Sequence, residues 1–207
     1  KNNGIKSIPL LGWQIPIITD DNHEKAKILH IDNKRIEKFF KKNDVIVLAG
    51  FQGISLDGEI TSLGRGGSDT TAVAIASSVG AERCDIYTDV DGVYTTDPNI
   101  DQNAKKIPKM SYEEMLEMAS TGSKVLHTRS VELAMKNNLT LQVLSSVTKE
   151  TGTLIVDEKK LIEKEIVSGV SYSKNEAKVT ISGILDKPGI SAKIFGLMTE
   201  NNINVDM

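Results

Sequence analysis

The sequence of 207 residues predicts an α/β fold with a mainly parallel central sheet, followed by a smaller α+β module, and three observations predict it. The run Val45-Ile46-Val47-Leu48-Ala49-Gly50 is continuously apolar and closed by glycine, the pattern of a strand covered on both faces in a parallel sheet. The apolar run over 72–79 lies between a glycine-rich turn and Gly80 and reads as a helix, and 84–88 reads as the next strand, so strand and helix alternate. After Val156 the composition shifts to a charged bridge, Asp157-Glu158-Lys159-Lys160 and Glu163-Lys164-Glu165. That shift predicts a first domain over 1–157, a linker over 158–165 and a second module over 166–207.

In chain order, Asp32 or Asn33 can cap a helix over 34–42 that carries Ile36, Phe39 and Phe40 on one face. After the strand at 45–50, Asp57-Gly58 between Ile54-Ser55-Leu56 and Glu59-Ile60-Thr61 predicts a hairpin, which delivers the chain to Arg65. Ser68 or Asp69 is expected to cap the helix that Gly80 ends. Ser111 caps another helix through Met118, Thr121-Gly122 breaks it, and Ser123 is expected to open a helix running to about Lys136. A strand is expected over 139–144. Met110, Met115 and Met118 form a helical stripe read as core filling. In the second module, 166–172 and 178–184 alternate like strands, and 190–200 reads as a helix with Ile194, Phe195, Leu197 and Met198 on one face.

Totals narrow the function. Lys plus Arg number 25 against 28 Asp plus Glu, a formal charge of -3, so no field draws the chain to nucleic acid or anionic lipid, and a small soluble ligand is expected. No apolar run reaches membrane-spanning length and no signal-like segment follows Lys1. Cys84, the single cysteine, is expected to be a buried small hydrophobe, allows no internal disulfide and fits a cytoplasmic compartment. His23, His30 and His127 have no ligand spacing and read as structural or surface residues. The chain opens on Lys1 and stops at Asn204-Val205-Asp206-Met207, which reads as a strand just beginning, so both ends are expected to be cuts.

The chemistry concentrates in loops. In Leu63-Gly64-Arg65-Gly66-Gly67-Ser68-Asp69-Thr70-Thr71, glycines let a ligand approach main-chain N–H groups, the helix start favours an anion, and Arg65 adds a fork matched to a carboxylate. Asp69 then demands a nearby ammonium, lysine or metal. A plain capped helix after a hairpin is the alternative. Thr88-Asp89-Val90-Asp91-Gly92-Val93-Tyr94, with Thr95-Thr96-Asp97-Pro98, follows a strand and could border a nucleotide, or could be two ordinary turns. Lys124, expected in a first helical turn where a cation is disfavoured, reads either as a phosphate contact or as a solvated lysine. Neither a P-loop nor a dinucleotide fingerprint occurs.

Four motifs in register resemble the aspartokinases of the amino-acid kinase family: Gly50-Phe51-Gln52-Gly53, the Arg65 turn from Leu63 to Thr71, the loop from Tyr87 to Pro98, and Lys124-Val125-Leu126-His127. The resemblance implies a three-layer α/β sandwich followed by ACT modules, the first of them begun at Ile166, and phosphorylation of the β-carboxylate of L-aspartate by ATP with Mg²⁺. It implies that Arg65 clamps the α-carboxylate, with Phe51, Gly66, Gly67 and Ser68 lining the amino-acid pocket. Asp69 would orient lysines around the phosphoryl group. Thr88, Asp89 and Tyr94 would hold ATP, Asn99 stands where many relatives carry an arginine phosphate contact, and Lys124 with the Val125 backbone would meet the phosphates. Asp186, Pro188, Gly189, Ile190 and Ser191, with Asn204 and Asp206 opposite, match an effector site for lysine or threonine, and ACT modules imply a homo-oligomer. No protein ligand for Mg²⁺ is assigned.

Departures are equally specific. The amino-terminal Lys-Phe-Gly-Gly-Thr-Ser motif of the family is absent from these 207 residues, Thr128 stands where many relatives have proline, and the ACT module is unfinished, so the chain alone is expected to be inactive. The alternatives are a non-catalytic amino-acid-sensing module, or a kinase of the same family acting on glutamate, UMP or carbamate.

Overall fold

The computed structural model describes residues 4–123, 125–161, 167–172 and 188–200. By packing the chain divides into two units, Lys1–Ser173 and Lys174–Met207. The first unit is a mixed α/β structure in which the strands of the described residues form three sheets. β1 (Ser7–Leu10) pairs in parallel with β4 (Val45–Leu48). A second sheet has the order β3-β2-β5-β6, built from β2 (Ile17–Thr19), β3 (Ile28–Ile31) and the expected hairpin β5 (Gln52–Ser55) and β6 (Ile60–Ser62). The third has the order β7-β9-β10-β8, from β7 (Arg83–Thr88), β8 (Lys109–Ser111), β9 (Thr140–Ser145) and β10 (Thr153–Val156). Parallel pairs predominate: β1 with β4, β2 with β5, β7 with β9, and β8 with β10.

The strand at 45–48 forms as expected but is covered on one face only. Ile46 and Leu48 pack on a core of Leu10, Ile15, Ile17, Ile31 and Ile36, while Val45 and Val47 stay exposed. Alternation by exposure is what a half-covered strand shows, and a continuous apolar run does not reveal it.

Helix α1 (Asn33–Phe40) is capped by Asp32, whose carboxylate accepts the Arg35 N–H at 3.2 Å; Ile36 is buried and Phe40 is not. Helix α2 (Gly67–Ser78) explains its own lack of a polar face. Val73 enters a core shared with β7, β9 and β10, and Ala74 enters the core of the first two sheets, so the helix is wedged between both. Helix α3 (Tyr112–Ser120) opens with a capping box between Ser111 and Glu114. Met110, Met115 and Met118 are buried as expected. Helix α4 spans Thr128–Lys136, four residues later than expected, with His127 instead of Ser123 as its cap position. Ser123 has good helix-capping chemistry that α4 does not use. Residues 167–172, expected within a strand over 166–172, carry no regular structure and pack inside the first unit: Val170 N–H donates to the Thr95 carbonyl at 2.7 Å, and Ser168 bonds Glu114. In the second unit α5 (Ile190–Glu200) forms over the expected span. The strand expected over 178–184 lies outside the described residues.

Thr153, fully buried, anchors the loop after β7. Its hydroxyl accepts the Val93 N–H at 2.8 Å and donates to the Ile107 carbonyl at 2.6 Å. Thr153→Val keeps the shape and strands two buried backbone groups, which costs about 2–3 kcal/mol. A melting temperature lower by roughly 5–10 °C is expected, and an unchanged melt would show that the hydroxyl holds nothing.

Candidate functional site

The turn before α2 is built differently from its expected form. Gly66, at φ +69°, occupies the cap position, and neither Ser68 nor Asp69 caps: both lie inside the first turn. Gly66 has to be glycine for two reasons. Its backbone is left-handed, and a Cβ there would meet the His127 ring at 2.2 Å. Without a side-chain cap, the N–H groups of Ser68 and Asp69 meet no acceptor among the described residues. Orphan donors at the positive end of a helix are what an anion needs.

Neighbouring side chains pack beside the turn. Phe51 follows β4 with φ +72°, a conformation an aromatic residue rarely takes, and it is held there from both sides. Its N–H donates to Thr71 Oγ1 at 3.0 Å, and its carbonyl accepts the Leu63 N–H at 3.0 Å. The ring then stands half exposed directly beside Gly67, where an added Cβ would be 2.8 Å from Cδ2. Phe51, Gly66, Gly67, Ser68 and Asp69 are therefore brought together as the sequence predicts. Arg65 is exposed at the crest of the turn, and among the described residues its guanidinium has no hydrogen bond or ion pair.

Asp69 is half-buried, and burial lifts its carboxyl above the ordinary carboxylate range; the Ser68 hydroxyl, donating at 3.3 Å, and the charge of His127 pull it partly back. His127, expected from the sequence to be a structural or surface residue, packs over Gly66 at the start of this helix. Arg129 was missed altogether. Its two terminal nitrogens donate to the Leu63 and Ala26 carbonyls, both at 2.7 Å, from the first turn of α4. A lone arginine two residues after a histidine gives no sequence signal for such a contact.

The second loop starts at the carboxyl end of β7. Thr88 closes the strand, its hydroxyl donating to Asp89 at 3.0 Å and its carbonyl accepting the Ser146 N–H at 2.8 Å. Tyr94 is tied down: its hydroxyl donates to Asp91 at 3.0 Å, and Lys106 bridges Asp91 at 2.9 Å and Glu150 at 3.0 Å. Lys106 holds the Asp91 carboxyl below its usual range, while burial and then Asp91 raise the Tyr94 hydroxyl. Asn99 is exposed and turned back on Asp97, bonding the same Oδ1 through its N–H at 2.9 Å and its side-chain amide at 3.0 Å. Val125 is half-buried against the main core. Lys124 lies outside the described residues, and because α4 begins at Thr128 the helix-start argument for a cation there loses its premise.

Cys84 is buried, as expected, and burial, then Asp85 and Asp69, push its thiol up to about 11. In the second unit, Pro188 and Gly189 form the turn into α5, whose first residues are Ile190 and Ser191; Asp186, Asn204 and Asp206 lie outside the described residues. Among the described residues no group of three His, Cys, Asp or Glu side chains could hold a metal ion, and no helix is long and apolar enough to cross a membrane.

The chain is similar to known proteins. Aspartate kinase of Pseudomonas putida is 51% identical over 205 residues, covering 99% of this chain and 50% of that protein. An aspartokinase of Helicobacter pylori is 51% identical over 208 residues, covering 99% of this chain and 51% of its own length. The chain therefore spans about half the length of the curated relatives it matches. The crystal structure of E. coli aspartokinase III in complex with aspartate and ADP superposes with a TM-score of 0.74 at 29% identity, covering 99% of this chain and 47% of that one. Residues 1–145 match the amino acid kinase family, to which this chain belongs.

Proposed function

We propose that the protein containing this chain is an aspartate kinase, transferring the γ-phosphoryl group of ATP to the β-carboxylate of L-aspartate. The observation that carries the reading is the α2 turn: a guanidinium on Arg65 and two N–H donors that meet no partner among the described residues, and a carboxyl on Asp69 within one turn of helix. A zwitterionic amino acid needs that combination, since its carboxylate meets Arg65 and the positive helix end while its surroundings keep one negative group for cations. Phe51, Gly66, Gly67 and Ser68 line the substrate side. Thr88, Asp89, Tyr94 and Asn99 form the nucleotide side, with Lys124 and Val125 at the phosphates. The relatives' names support the substrate, as does the bound aspartate and ADP in the E. coli structure.

Phosphoryl transfer asks the protein mainly to position groups and neutralise charge. Mg²⁺ supplies charge neutralisation on the triphosphate. It would enter on the phosphate oxygens of the nucleotide, and no protein ligand is assigned to it. We assign 1–157 to the catalytic portion, 158–165 to a linker and 166–207 to the start of an ACT module. Its effector, lysine or threonine, would meet the α5 turn at Pro188, Gly189, Ile190 and Ser191, together with Asp186, Asn204 and Asp206. The E. coli aspartokinase III structure in complex with lysine and aspartate, 28% identical with a TM-score of 0.72, supports an amino-acid effector. Pairing of such modules between subunits would make the protein a homo-oligomer.

The test uses the full-length protein with ATP and Mg²⁺, trapping acyl phosphate with hydroxylamine. Aspartyl hydroxamate is expected. Product from glutamate, UMP or carbamate instead would replace the substrate, and no phosphoryl transfer to any acceptor, with effector binding retained, would leave the sensing module. Lys124→Ala is expected to lower turnover on the order of tenfold, the worth of one charge-assisted hydrogen bond in a partly solvated site, with an unchanged melt. Wild-type turnover in the folded variant would remove Lys124 from the site.

A further inference from the structure

We propose that Arg129 is a positioning residue for the substrate carboxylate, setting aspartate affinity by holding the Arg65 turn in place; the inference rests on reading that turn as the carboxylate clamp. Arg65 is exposed and has no partner among the described residues, so nothing aims its guanidinium except the backbone that carries it. That backbone is intrinsically loose. Gly64 and Gly66 both sit at positive φ and no side chain caps the helix start; only short-range hydrogen bonds hold the turn among the described residues, Gly64 N–H to Ser62 Oγ at 3.1 Å, Gly67 N–H to the Gly64 carbonyl at 2.9 Å and Thr70 to the Gly66 carbonyl at 3.0 Å.

Arg129 supplies what the turn lacks. One guanidinium nitrogen donates to the Leu63 carbonyl, immediately before Gly64, and the other to the Ala26 carbonyl, in the segment whose Glu24 and Lys25 backbone presses on Gly64. Leu63 and Ala26 are both fully buried, and among the described residues no other donor reaches either oxygen. The two carbonyls come from segments that are themselves stitched together, by Ala26 N–H to the Ser62 carbonyl at 2.9 Å and Ser62 N–H to the His23 carbonyl at 2.9 Å. A planar fork can hold two such acceptors at once, and an ammonium on a flexible stem holds them less well. Two residues earlier on the same helix start, His127 fills the space over Gly66. The beginning of α4 therefore fixes the turn from both ends of Gly64-Arg65-Gly66, and Arg129 does so through hydrogen bonds that can be removed without touching the substrate.

The experiment measures both Michaelis constants and turnover of the full-length protein carrying Arg129→Met or Arg129→Lys, with Arg65→Ala alongside. KM for aspartate is expected to rise about tenfold in Arg129→Met and less in Arg129→Lys, with KM for ATP within about twofold. Amide exchange at 63–69 should quicken in both variants, a readout independent of activity. If Arg129→Met does not fold, Arg129→Lys decides. Equal rises in both Michaelis constants, or unchanged exchange and unchanged KM for aspartate, would overturn the proposal. An aspartate effect in Arg65→Ala without one at Arg129 sinks this inference alone, whereas no effect in Arg65→Ala sinks the carboxylate reading itself.

Discussion

Arg65→Ala in the full-length protein is expected to raise KM for aspartate roughly 30- to 100-fold and to leave KM for ATP within about twofold. A bidentate guanidinium–carboxylate contact is a pair of charge-assisted hydrogen bonds, together worth about 2–3 kcal/mol, and each 1.4 kcal/mol is a factor of about ten. The side chain is exposed and without a partner among the described residues, so its loss should not lower the melting temperature. That separation makes the measurement clean. Arg65→Lys should recover only part of the loss, because a single ammonium cannot match both carboxylate oxygens. Equal increases for aspartate and ATP would refute the assigned role, since a residue that merely orders the site would weaken both.

What could be read from the sequence followed from how local each cause is. The hairpin at Asp57-Gly58, the Asp32 cap of α1 and the Ser111 capping box of α3 are decided within four or five residues, and all three formed as expected. The elements that differed were decided from outside. Ser68 and Asp69 are good caps, yet the cap position falls two residues before Ser68, at Gly66, where His127 packs so closely that only glycine leaves room. Likewise Ser123 could start a helix, but α4 opens at Thr128. Of the residues proposed for the site, Phe51, Gly66, Gly67, Ser68 and Asp69 stand side by side in the structure, and they could be picked out because they sit in two short glycine-marked motifs. Arg129 was not, because its partners at Ala26 and Leu63 are backbone carbonyls, which leave no trace in residue type. The three-sheet division was equally silent, since an apolar run specifies a strand and not its neighbour.

Asp69→Asn carries the largest effect on turnover, and the sign of its effect on stability is opposite. An ionised carboxylate beside the phosphoryl group holds cations in place, and asparagine keeps the shape without the charge, so kcat in the full-length protein should fall by about 10²–10³. Burial raises the Asp69 carboxyl above its ordinary value in the folded chain. Its contribution to stability is thus fully present below the ordinary carboxylate range, near pH 4, and is lost as pH rises through the raised value; at neutral pH the charge is a net cost to the fold. Asp69→Asn should therefore melt at a higher temperature than the wild type at pH 7, with the difference shrinking toward pH 4. The same shift places the acid limb of the kcat profile above the ordinary carboxylate range. Ser68→Ala should move that limb further up, because the Ser68 hydroxyl stabilises the ionised form. A residue kept charged against its own folding preference is one whose charge is used, and near-normal turnover in Asp69→Asn would show that here it is not.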